Sequence, residues 1–217
     1  MEEEGEEGGL LGRISFILVK IESGMLNNPN DENRAKVTSL LLKELRTYVY
    51  GCKGVAEYLE SSGFLEKIMS LFSRSMRSRV LVSEIMRCIA SCVRISELSR
   101  PCCELMQKYE IIKPLLTTLR RYPKDPNIQA QGSELLYCFL SFITESGQPD
   151  VIRNTANFMV MYGGITTYHQ MLTEFVHTQQ RINIKRVLTC KIVSYFNDVD
   201  HWNKFLTDSF YILMLFL

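Results

Sequence analysis

A ten-residue phrase that returns along the chain constrains its fold more than any other feature. The clearest copy, residues 63–72, reads Gly-Phe-Leu-Glu-Lys-Ile-Met-Ser-Leu-Phe. Residues 110–119 and 163–172 keep its apolar positions, and looser copies start at Gly9 and Asp208. Successive starts lie 45 to 54 residues apart. Recurrence at that period marks a stacked helical array, because each unit leaves an apolar face that only its neighbour can cover. The sequence therefore predicts a solenoid over residues 9–217 with an unfinished last unit, preceded by an acidic, disordered stretch at residues 1–8.

The apolar pattern is helical nearly throughout. Ile85, Cys88, Ile89, Cys92 and Val93 recur at steps of three and four, as do Leu135, Cys138, Phe139 and Phe142, and then Leu188, Ile192 and Tyr195. Such steps put each set on one helix face, and no stretch alternates long enough to suggest a sheet. Helices are expected near 9–23, 32–50, 53–61, 64–75, 78–95, 100–109, 111–121, 127–145, 149–162, 164–178, 181–197, 199–207 and 209–217. Helix punctuation sets these limits: Asp125 reads as an N-cap with Pro126 at the first helical position, and Ser99-Arg100-Pro101 reads the same way. Each unit is read as a short helix, a corner, the phrase helix and a long third helix. Gly63 and Gly163 suit a tight corner, where only glycine takes left-handed angles cheaply. Glu110 and Asp208 hold the equivalent place, so the corner is not reserved for glycine.

The three-helix unit, with its corner Gly and the spacing Gly-x-Ile/Leu-x-x-Leu/Ile-x-x-Leu-Leu, resembles the armadillo repeat, with HEAT repeats as the close alternative. The resemblance covers nearly the whole chain. It implies an all-α, right-handed armadillo-like α-solenoid, a superhelix of about four to five repeats. It also implies a concave groove lined by the third helix of each unit, used to bind extended peptides or other proteins. Armadillo proteins that bind nuclear-import peptides carry Trp and Asn at fixed places on that helix. Those places hold Arg87 and Ser91, Tyr137 and Ser141, and Lys191 and Tyr195, and the single tryptophan, Trp202, lies elsewhere. The resemblance therefore implies no asparagine clamp on a peptide backbone.

No residue pattern points to catalysis or to a cofactor. Cys88 and Cys92 stand one turn apart and Cys102-Cys103 follow, but they continue an apolar stripe instead of forming the loop-borne C-x₂-C pairs of a zinc site. His169, His177 and His201 are scattered, with no H-E-x-x-H or recognisable Cys–His arrangement. Gly163-Gly164 lacks the lysine and spacing of a phosphate loop. The seven cysteines, an odd number, fit a reducing compartment with free thiols. The acidic start is unlike a secretory signal. Cytoplasmic residence is the expectation, with nuclear or cytoskeleton-associated residence also compatible.

The net charge of +1 gives no global attraction to nucleic acid or to an anionic membrane. The apolar run at 210–217 falls far short of the ~20 residues a membrane helix needs. Charge is uneven, however, and the stretch from Arg74 to Arg121 is basic. Arg87, Ser91 and Arg94 recur at steps of four and three, which gives a polar strip suited to acidic segments of a partner. The expected function is a non-catalytic scaffold or adaptor that holds a protein or peptide in the groove formed by helices near 78–95, 127–145 and 181–197. Its expected contact residues are Arg87, Ser91, Arg94, Glu134, Tyr137, Ser141, Lys191 and Tyr195, since Tyr and Arg dominate binding hot spots. The alternative is a regulatory subunit of a larger enzyme or transport complex, docked through the apolar C-terminal end.

Overall fold

The structure, a computed structural model, describes residues 3–25, 31–49, 54–164, 166–167 and 170. The elements among them are α1 (Glu3–Met25), α2 (Glu32–Val49), α3 (Val55–Ser61), α4 (Phe64–Arg74), α5 (Arg79–Val93), α6 (Ser96–Lys108), α7 (Ile112–Arg121), α8 (Pro126–Glu145) and α9 (Pro149–Met161). No strand occurs among the described residues, as the helical periodicity predicts. The helices expected at 181–197, 199–207 and 209–217 lie outside the described residues. No described helix is long and apolar enough to cross a membrane.

The chain divides into two compact units, Met1–Ile111 and Ile112–Leu217. In the first, α1 pairs with α2, α2 lies on α5, and α5 packs on α4 and α6, with α3 against α4 and α6. Ile14, Ile17 and Ile21 of α1, Leu42 and Leu45 of α2, and Ile68, Met69 and Phe72 of α4 are buried. Each such side chain contributes ~1.5–3 kcal/mol by leaving water. A cavity of about 20 Å³ remains among Leu18, Ile21, Leu42, Phe64 and Ile68. That is room for about one water and no organic ligand. In the second unit α8 packs against both α7 and α9, around Leu115, Leu119, Leu135, Phe139 and Met159.

Two blocks of the chain match after a shift of 47 residues. α3 and α6 end at Ser61 and Lys108, α4 and α7 at Arg74 and Arg121, and α5 and α8 start at Arg79 and Pro126. The connecting bonds match as well. The Gly63 amide donates to the Glu60 carbonyl at 3.2 Å and that of Glu110 to Gln107 at 3.1 Å. The Ser78 amide reaches the Ser75 carbonyl at 3.1 Å, and that of Asp125 reaches Tyr122 at 3.2 Å. Burial follows the same register: Phe64, Leu65, Ile68, Met69, Leu71 and Phe72 answer to Ile111, Ile112, Leu115, Leu116, Thr118 and Leu119, all of them buried.

The match extends back to α2 at its first turn. Asp31 Oδ1 accepts from the amides of Asn33 and Arg34 at 2.9 and 3.3 Å. Asp125 Oδ1 accepts from those of Asn127 and Ile128 at 3.0 and 3.1 Å. Between them in register stands Ser78, whose hydroxyl accepts from Leu81. These side chains satisfy amides that the first helical turn leaves without partners. The three helices expected to be the long third helices, α2, α5 and α8, thus open in the same way.

The corners agree too. Gly63, Glu110 and Gly163 have φ of 67°, 49° and 71°. Left-handed backbone costs a residue with a Cβ roughly 1–2 kcal/mol, and Glu110 bears that cost. Gly147, at φ 66°, makes a similar turn between α8 and α9, so the device is not confined to phrase starts.

Three expectations need correction. α1 begins at Glu3, so helix covers most of the acidic start that was expected to be disordered. Helix α6 begins at Ser96, with Ile95 at its N-cap, and Pro101 lies inside it. The proline cannot donate to the carbonyl four residues back, a defect of about 3 kcal/mol in a helix interior. Burial of Leu98, Cys102, Cys103 and Met106 on one stripe offsets it. As a result α6, with 13 residues, is longer than the 10-residue α7 and is not the short opening helix expected of a unit.

Candidate interaction face

The third-helix positions expected to line a groove are found on α5 in the first unit and α8 in the second. On α5 most of the surface is buried, from Leu81 and Val82 through Ile85, Met86, Cys88 and Ile89 to Cys92 and Val93. What stays accessible is a narrow strip containing Glu84, Arg87 and Arg94. Ser91 was expected on this strip, but it is buried. α2, α4 and α6 all pack on α5 and leave a serine at that position inside the core. Ser91 is therefore out of a partner's reach. Arg94 is exposed at the C-cap of α5, where a cation also suits the negative end of the helix.

Arg87 is half-buried and does not stand alone. Its Nη1 donates to Glu84 Oε1 at 2.7 Å, one helical turn away. Arg46 comes across from α2, its Nη2 3.9 Å from Glu84 Oε2. Neither that oxygen nor Arg46 Nε has a hydrogen-bond partner, although both atoms are buried. Two guanidinium groups thus face one carboxylate, leaving a surplus positive charge on side chains that are 30% and 26% exposed. Arginine's planar fork matches a carboxylate with two parallel bonds, so the cluster can accept a second acidic group.

Sequence reasoning missed Arg46 and Glu84. Arg46 occupies a place that Val93 and Leu140 fill as buried apolar residues after shifts of 47, so its register reads as core. On the second unit, Glu134, Tyr137 and Ser141 follow steps of three and four along α8 and are all half-exposed on one face. Lys191 and Tyr195 lie outside the described residues.

The cysteines belong to the interior. Cys88, Cys92, Cys102 and Cys103 are buried free thiols. Cys88 and Cys102 are each hydrogen-bonded to Cys92, and those bonds together with burial hold both thiols well above the ordinary range. The same bonds pull Cys92 the other way, and it is burial that keeps all four sulfurs out of contact with solvent. Among the described residues no three His, Cys, Asp or Glu side chains are grouped to hold a metal ion. His169, His177 and His201 lie outside them. No protein-family model matches this sequence, and no curated protein or solved structure matches it either.

Proposed function

We propose that this chain is an armadillo-like α-solenoid acting as a non-catalytic adaptor that holds an acidic partner segment along its third helices. The observation that carries the reading is the spacing of 47 residues at which Asp31, Ser78 and Asp125 open α2, α5 and α8. Helices that start alike and bury the same register positions suit a stack in which each unit covers the next. The partner's acidity follows from Arg46 and Arg87, which share the single carboxylate of Glu84 and leave one positive charge uncompensated. A glutamate or aspartate from a bound segment would complete that cluster. Tyr137 and Glu134 would add an aromatic contact and a charge that fixes direction. A cytoplasmic adaptor of this kind needs no cofactor.

The test is affinity capture with wild-type chain beside the Arg87→Glu/Arg94→Glu variant and a deletion of residues 209–217. Partners lost on charge reversal and kept on deletion support the groove. Partners lost only on deletion refute it in favour of docking through the C-terminal end.

A further inference from the structure

The α1–α2 hairpin presents an apolar face that the groove reading does not use. Phe16 and Val19 of α1 are each 59% exposed, and Val37 and Leu40 of α2 are 58% and 66% exposed. The ion pair from Arg13 to Glu44 fixes how the two helices align. One turn forward from Arg13 stands Phe16, and one turn back from Glu44 stands Leu40. In an antiparallel pair these steps run toward each other, which sets the exposed side chains on neighbouring turns of the two helices. Ile14, Ile17 and Ile21 on α1, and Leu42 and Leu45 on α2, take the core side, so the hairpin does not need the outer four to fold.

Charge around the patch indicates what covers it. Arg13 is paired with Glu44 and Lys36 with Glu32, whereas Lys20 lies over the Phe16 ring and Lys43 has no acidic partner among the described residues. The rim is therefore apolar at its centre and positive at its edge. A second copy docked symmetrically would bring Lys20 and Lys43 against their own counterparts, which opposes self-association. Two uncompensated lysines are also fewer than the roughly four to eight basic residues that hold a protein on an anionic bilayer. We infer that this face docks an acidic amphipathic helix from another protein, its leucine-type ridge laid over Phe16 and Leu40 and its carboxylates against Lys20 and Lys43. This docking is independent of the Arg46, Glu84 and Arg87 cluster.

The probe is a fluorescent 16-residue helical peptide with leucine at every third or fourth position and glutamate beside them, titrated against the full chain. A matched peptide carrying lysine for glutamate serves as the charge control. The glutamate peptide is expected to bind at least tenfold tighter than the lysine peptide and to weaken as salt rises. Leu40→Ser and Phe16→Ser are each expected to cost it at least tenfold, and Lys20→Glu with Lys43→Glu a similar factor, with circular dichroism unchanged. The inference fails if both peptides bind alike, or if the serine variants bind as wild type. It also fails if those variants instead convert a dimer to a monomer in sedimentation, or abolish binding to phosphatidylserine vesicles while leaving the peptide untouched.

Discussion

The block from Val55 to Val93 and the block from Cys102 to Leu140 hold the same backbone register by different means. Val82, Ile85 and Met86 fill the first with apolar bulk, while Gln129, Gly132 and Ser133 stand at the matching buried places in the second. Gln129 Nε2 donates to the carbonyls of Leu119 and Tyr122 at 2.8 and 3.0 Å. The Leu119 carbonyl lies in the last turn of α7, which has no further amides of its own to satisfy it, and that of Tyr122, just past the helix, also accepts from the Asp125 amide. Ser133 turns inward on its own helix, donating to the Ala130 carbonyl at 2.9 Å. Helix order and corner geometry thus tolerate either apolar filling or a polar tie, even one that leaves Gln129 Oε1 buried without a partner.

The largest expected effects test whether the two blocks are equivalent at their centres. Ile68→Ala and Leu115→Ala occupy matching buried places, and each should cost about 2–5 kcal/mol in urea unfolding. If either proves nearly neutral, the register match carries no shared energetic role. Next in size is Gln129→Val, which copies the residue of the first block. It strips the buried Leu119 carbonyl of its donor, while Tyr122 keeps the Asp125 amide, and should cost about 1–3 kcal/mol for the one group left unpaired. A neutral result would mean that α7 ends without help from α8.

Smaller effects of opposite sign are expected at the corners. Gly63→Ala places a Cβ at φ 67° with nothing within 4 Å, so only backbone strain acts, and it should lose about 1 kcal/mol. Glu110→Gly relieves the same strain at φ 49° and should gain about 0.5–1 kcal/mol, less what the freer unfolded chain takes back. Equal signs in the two melts would break the comparison.

How much of this was legible depended on the range of the interaction. The phrase helices and the Asp125-Pro126 start are written in neighbouring residues, so periodicity and capping chemistry expose them. Pro101 inside α6 was not, because its cost is outweighed by a buried stripe that includes Leu98 and Met106. Ser91 misled for a related reason: a serine between two arginines reads as surface until three helices pack around α5. The Arg46 contact with Glu84 joins residues far apart in sequence, and no local pattern announces it. Leu40, by contrast, was within reach, since it stands 47 residues before Arg87, just as Asp31 stands before Ser78.

The finest difference between the blocks lies at the helix starts. Ser78 accepts one amide, from Leu81 at 3.4 Å, while Asp125 accepts two at 3.0 and 3.1 Å. Loss of a good N-cap costs ~0.5–2 kcal/mol, so Asp125→Ala should fall near the upper end and Ser78→Ala near about 0.5 kcal/mol. The surroundings of Ser78 add a second reason for that gap. Arg77 and Arg79 flank it at the positive end of α5, where the helix dipole favours an anion and opposes cations. Ser78→Asp would supply both the second amide contact and the missing negative charge. It should raise stability by about 0.5–1 kcal/mol at low salt, with the gain shrinking as salt screens the charge. A salt-independent gain would assign the difference to hydrogen-bond geometry alone, and no gain would mean that the α5 start is set by packing of Leu81 and Val82 and not by its cap.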